Sequence, residues 1–157
     1  TELVPFKAAI EADVATIMTA HIITKPLDTV PATLSEKTLS QLLRKQLGFT
    51  NVIISDDLDM KAVADHYALK DILEQAVMAG VDMFIIGNNL DKTAEAIAIL
   101  QNLIETNETI RMQLMAAQTR INALRARYVG KPLAPDLVAA RAIVQSRPHL
   151  ELVGSCR

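Results

Sequence analysis

The chain has 157 residues, half of them hydrophobic, with 22% charged residues and a formal net charge of −2; that is enough apolar material for one sizeable core and too little basic surface for a nucleic-acid partner. Aromatic residues make up only 3% and tryptophan is absent, so base-stacking platforms are lacking, and the single cysteine, Cys156, excludes an internal disulfide or an all-cysteine metal site. No apolar run approaches the roughly 18 residues of a membrane span.

Helix and strand alternate along the chain. "ELVPFKAAIEA" reads as the end of a helix with Leu3, Phe6, Ala9 and Ile10 on one face. The opening residues have neither the basic region nor the apolar core of a signal peptide, which favours the cytoplasm, with the natural N-terminus expected upstream of Thr1. "VATIMTA", Val14 to Ala20, is a β-rich run ending on His21, followed by a loop marked by Pro26 and Pro31. Thr33 and Glu36 have the spacing of a capping box for the next helix, and Gly48 supplies its stop. "NVIIS" lacks polar alternation, as a parallel strand covered on both faces does. "LKDILEQAVMAG" is a helix ending on Gly80, and "VDMFIIG" a third strand closing on Gly87, Asn88 and Asn89. Beyond residue 90 the chain turns helical, with Ile110, Leu114, Ala117, Ile121, Leu124 and Tyr128 on one stripe expected to pack as core. "GKPLAPD" reads as a linker and Asp136 onward as a further short helix.

Each strand ends on polar residues: His21, then Asp56 and Asp57, then Asn88 and Asn89. In parallel α/β folds ligands bind outside the carboxyl ends of the strands, so this pattern points to a site. Three carboxylates, Asp56, Asp57 and Asp59, crowd into four positions, and mutual repulsion demands a cation, a partner or a task for each. Asp57 and Asp59 have an alternative role as helix caps. His21 reads equally as a satisfied histidine at a strand end, and Met60 as core filler. Asn88 and Asn89 have an alternative role in tolerating left-handed backbone after Gly87. His66 and His149 are assigned no role. The acidic cluster lacks the glycine and distal glutamate of a calcium loop, and no metal or cofactor is expected.

"IMTAHI", "DTVPATLS", "LLRKQLGFTNVIISDDLDM" and "AGVDMFIIGNN", in that order, resemble the glycoside hydrolases of family 3, and most closely their bacterial β-N-acetylglucosaminidase (β-N-acetylhexosaminidase) branch. The likeness is strong over roughly residues 3 to 90 and looser beyond. It implies an α/β fold: the C-terminal portion of a (β/α)8 barrel, about three parallel strands with helices, followed by a helical segment. Residues 1–130 would belong to the barrel domain and 131–157 to a helical or linker tail. It also implies a retaining mechanism on terminal β-linked N-acetylglucosamine, in cell-wall recycling or chitin breakdown, with Asp56 as the nucleophile that forms a covalent glycosyl-enzyme. His21 matches the histidine of the family's Ala-His block and is expected to line the sugar pocket, with Met60 on its wall.

The family's Lys-His-Phe-Pro-Gly-His-Gly segment and its histidine–aspartate acid/base loop have no counterpart in these residues. The chain is therefore expected to be part of a larger barrel, inactive alone, and to associate with a complementary barrel portion or with itself. Two other readings stay open: a non-catalytic α/β binding module, and a receiver-like domain phosphorylated on a strand-end aspartate.

Overall fold

The computed structural model describes residues 2–129, 136–144 and 146–155. The linker expected over "GKPLAPD" and the boundary at residue 130 lie largely outside the described residues, as do Cys156 and the His149 side chain.

Helix α1, Val4–Glu11, starts with a proline in its first turn, where the missing N–H costs no hydrogen bond. Asp13 then turns the chain with a left-handed φ of 55°. Asn51 holds this turn, donating to both Asp13 Oδ1 and the Val14 carbonyl at 2.9 Å. Three strands follow, β1 Thr16–Met18, β2 Val52–Asp57 and β3 Met83–Ile85, parallel and in the order β1-β2-β3. Thr16 pairs with Val52 and Met18 with Ile54; across the other side Ile54 pairs with Met83 and Asp57 with Ile85, with a register irregularity between.

The outer strands are shorter than the apolar runs imply. After Met18 only the Thr19 N–H still donates to β2, to the Ile54 carbonyl at 2.9 Å. From there the Thr19 and His21 side chains, not the backbone, make the connections to β2. On the β3 side the Ile85 N–H donates to Ser55 Oγ at 3.0 Å, a side chain interrupting the ladder at the irregularity.

Between β1 and β2 the chain makes a 3₁₀ turn, Ala32–Leu34, and a π-type helix, Lys37–Gln46. Thr33 does not cap this helix: its hydroxyl is buried and bonded to Thr19 and His21. Ser35 Oγ accepts the Thr38 N–H at 3.0 Å instead. Gly48 ends the segment at φ +77° and Gly80 caps the later helix at φ +105°, both in the left-handed region that favours glycine. The remaining helices are α2 Lys61–Ala64, α3 Leu69–Ala79, α4 Leu90–Thr106, α5 Glu108–Tyr128, α6 Leu137–Val144 and α7 Arg147–Ser155. Asn89 and Asn107 cap α4 and α5 by accepting the backbone N–H of Lys92 and Ile110. Asn88 and Asn89 keep ordinary negative φ, so their expected left-handed role gives way to helix capping by Asn89.

The core is built on β2, whose Val52 and Ile53 are fully buried, together with Leu39 and Leu43 of the π-type helix and Ile72, Leu73 and Ala76 of α3. The α5 stripe packs only in part. Ile110 and Ala117 are buried, whereas Tyr128, in the last turn, is exposed beneath the Arg127 guanidinium. No helix among the described residues is long and apolar enough to cross a membrane. Along the free edge of β1, Leu3, Phe6, Met18, Ile22 and Leu27 are each at least 40% exposed and border an apolar groove of about 280 Å³.

Candidate active site

Parallel pairing brings the carboxyl ends of the three strands together. Asp56 stands at the end of β2, partly exposed, directly after the fully buried Ser55. Its Oδ1 accepts the Asp57 N–H at 2.8 Å, and Oδ2 has no hydrogen bond among the described residues. Asp57 ties two strand ends: its Oδ1 accepts the Asp59 N–H at 3.0 Å and the Gly87 N–H at 3.1 Å. Gly87 is required there for close approach, since a Cβ would lie 2.6 Å from Asp57 Oδ2. Asp59 takes a cation, the Lys92 ammonium from the first turn of α4, at 2.6 Å. Three adjacent carboxylates thus have three different environments: Asp57 is tied to the end of β3 and Asp59 to a cation, whereas Asp56 accepts only the N–H of its own neighbour.

Below Asp56 lies a polar web. His21, 9% exposed, places Nε2 3.0 Å from the Asp57 carbonyl and Nδ1 2.9 Å from the Thr33 hydroxyl. Thr33 is fully buried and meets Thr19 Oγ1 at 2.8 Å, and Thr19 Oγ1 receives the Asp56 N–H at 3.4 Å. Met60 is 43% exposed at the rim, and its N–H also donates to the Asp57 carbonyl, at 3.1 Å. His21, Asp56 and Met60 therefore share one end of the sheet, while His66 is exposed and Asn88 makes no side-chain hydrogen bond among the described residues. Thr19 and Lys92 carried no signal in the sequence, and Thr33 only that of a cap; a hydroxyl three residues before a glutamate looks like one wherever it ends up.

The loop that carries Thr33 is itself tethered. Ser35 donates to Asp28 Oδ2 at 2.8 Å. That hydroxyl, with the Thr29 N–H, holds the Asp28 carboxyl below the usual carboxylate range. At the opposite end of the sheet, Asp82 is buried and paired with Arg44 and Arg120 at 2.7 Å each. Burial pushes the Arg44 guanidinium below its ordinary pKa, opposed by the Asp82 charge. Nearby, Asn51 and then Arg127 hold the Asp13 carboxyl low. Asp13, Asn51 and Arg127 border a hollow of about 250 Å³ between α5 and the amino ends of the strands, remote from Asp56. No group of three or more His, Cys, Asp or Glu side chains among the described residues is arranged to hold a metal ion.

Residues 1–124 match the family model described as the glycosyl hydrolase family 3 N terminal domain. A beta-hexosaminidase of Nitrosomonas eutropha is 35% identical over 123 residues, covering 78% of this chain and 35% of that protein. One from Chromobacterium violaceum is 31% identical over 144 residues, covering 92% of this chain and 39% of that protein. Among solved structures, a family 3 β-N-acetylglucosaminidase from Paenibacillus sp. superposes with a TM-score of 0.79 at 29% identity, over 87% of this chain and 27% of that one. The β-N-acetylglucosaminidase from Thermotoga maritima gives 0.76 at 28% identity, over 80% and 28%. The chain spans about a third of the length of the curated relatives it matches.

Proposed function

Because this chain belongs to glycosyl hydrolase family 3, we propose that it supplies the nucleophile-bearing part of a retaining glycosidase acting on terminal β-linked N-acetylglucosamine. The observation that carries the reading is Asp56: a carboxylate at the carboxyl end of the central strand, directly after the buried Ser55 and, unlike Asp57 and Asp59, tied to neither the neighbouring strand end nor a cation among the described residues. Attack by Oδ2 on the anomeric carbon forms a glycosyl ester as the bond to the leaving oxygen breaks, and that oxygen takes a proton from a general acid. Water then adds to the same carbon and frees the Asp56 carboxylate, so two inversions give net retention. No segment of these 157 residues matches the family's acid/base loop, so the proton donor is assigned to polypeptide outside them. His21 under Asp56 and Met60 at the rim form the floor and edge of the sugar pocket. The names of the relatives, beta-hexosaminidase and β-N-acetylglucosaminidase, support the choice of sugar.

The apolar groove on the free edge of β1 supports a second element of the proposal, packing against complementary barrel polypeptide or, for the 157 residues alone, against another copy. The proposal keeps residues 1–130 in the barrel domain and 131–157 as a helical or linker tail.

The test uses a protein joining this chain to the remaining length of its relatives. Asp56→Ala should abolish hydrolysis of a β-N-acetylglucosaminide. A slow substrate with an activated leaving group should leave a glycosyl adduct on Asp56, located by mass spectrometry of the "SDDLDM" peptide. An adduct on Asp57 or Asp59 would refute the assignment, and no adduct on any of the three would favour a non-catalytic role.

A further inference from the structure

We infer that His21, Thr33 and Thr19 form a positioning unit that sets the location of Asp56 by gripping both ends of the Asp56–Asp57 dipeptide. The inference rests on Asp56 being the nucleophile and assigns these three residues a task beyond lining a pocket.

The direction of each bond follows from counting protons. The Asp57 carbonyl can only accept, so His21 Nε2 must carry the proton in that 3.0 Å bond. In the singly protonated ring Nδ1 is then a bare acceptor, and the Thr33 hydroxyl at 2.9 Å must donate to it. Having used its one proton, Thr33 Oγ1 accepts from the Thr19 hydroxyl at 2.8 Å. Thr19 Oγ1 in turn accepts the Asp56 N–H at 3.4 Å. The bonds run in one sense from the Asp56 N–H, through Thr19, Thr33 and His21, to the Asp57 carbonyl. No member has a spare donor to turn around, so the ring tautomer and the two hydroxyl rotors are fixed together.

Burial keeps water from substituting for any member: Thr33 is 0%, Thr19 7% and His21 9% exposed. The three residues come from the end of β1 and the 3₁₀ turn, and their grip falls on β2. Both His21 nitrogens are occupied by protein, which leaves a sugar hydroxyl no hydrogen-bonding atom on that ring. Its effect on substrate therefore passes through Asp56. Near-attack geometry is unforgiving, and a displacement of about 1 Å can cost on the order of 10²-fold in rate.

The experiment has two arms on the protein that joins this chain to the remaining length of its relatives. In the unsubstituted protein, long-range ¹H–¹⁵N correlation at pH 7 should show the His21 ring as the Nε2–H tautomer; a predominant Nδ1–H or doubly protonated ring would overturn the proposal without any variant having to fold. In kinetics, Thr33→Val should lower kcat about tenfold and His21→Ala between about ten- and a hundredfold, with KM within about twofold in both. His21→Gln, whose amide can still donate to the Asp57 carbonyl, should recover part of the loss. Raised KM with unchanged kcat would overturn the proposal and leave His21 only its place in the sugar pocket. Asp56→Ala separates the two levels. If it is inactive while Thr33→Val keeps full kcat, only the positioning role falls. If it still turns over, the nucleophile assignment falls and the positioning role falls with it.

Discussion

Replacing Asp82 with alanine should lower stability more than any change at the strand ends where the chemistry is proposed. The Asp82 side chain is 0% exposed and makes four hydrogen bonds. Oδ2 accepts Arg44 Nη2 at 2.7 Å and the Ile53 N–H at 2.8 Å, and Oδ1 accepts Arg120 Nε at 3.0 Å and Nη2 at 2.7 Å. Asp82→Ala takes the counterion from two guanidiniums, of which Arg44 keeps the Phe49, Asn51 and Gly80 carbonyls, and leaves the Ile53 N–H unpaired beside a small cavity. Removing one partner of a buried ion pair costs about 3–5 kcal/mol. The Arg44 and Arg120 side chains retain 17% and 24% exposure, so some rehydration is available and the lower end applies. At about 3 kcal/mol the melting temperature should fall by roughly 6–12 °C for a chain of this size. Asp82→Asn keeps an acceptor for the Ile53 N–H but turns an amide donor toward a guanidinium, so about 2 kcal/mol is expected. The assay is thermal unfolding by far-ultraviolet circular dichroism at one fixed protein concentration, because association would make the midpoint concentration-dependent. A cycle with Arg120→Met should show a coupling of about 1–3 kcal/mol. An Asp82→Ala protein within about 0.5 kcal/mol of the parent would refute the reasoning, since surface-like changes stay inside that range.

Asp57→Asn should be mild, about 1 kcal/mol, because the amide oxygen still accepts the Asp59 and Gly87 N–H groups, whereas Asp57→Ala should cost about 1–3 kcal/mol by leaving both unpaired. Gly87→Ala should displace the Asp57 carboxylate, so its effect should vanish in an Asp57→Ala background; additive losses would contradict the 2.6 Å approach. Asp13 and Asp28 both titrate below their unfolded value of 3.8, so the unfolded chain takes up their protons first as pH falls. Their contribution is complete above 3.8 and is lost as pH drops from there through the folded values, and Asp13→Asn/Asp28→Asn should flatten that limb of an acid-unfolding curve. An unchanged limb would show that solvent screening cancels both interactions. The 157 residues alone should self-associate through the free edge of β1 in light scattering, and Met18→Lys should reduce the association; a monodisperse monomer in the parent would count against the edge as an interface.

Much of the architecture was legible because it depends on near neighbours. The unbroken apolar run at β2 announced a strand covered on both faces, and Gly48 and Gly80 marked helix ends because left-handed backbone favours glycine. The strand–helix rhythm with polar residues at each strand end points to Asp56 and His21 at one end of a parallel sheet, where the structure has them. Partner choice among polar side chains was a different matter. Thr33 has the local form of a helix cap, yet Thr19 and His21, 14 and 12 residues away, claim its hydroxyl, and Ser35 caps instead. Asn89 caps α4 where the local pattern pointed to left-handed backbone. Arg44, Asp82 and Arg120 left no trace in the sequence, since 38 residues separate Asp82 from each arginine. Backbone propensity and hydrophobic period act within a turn or a strand and are written locally. A buried hydroxyl or charge must be satisfied by whatever the packed elements bring within about 3 Å, and only the tertiary structure decides what that is.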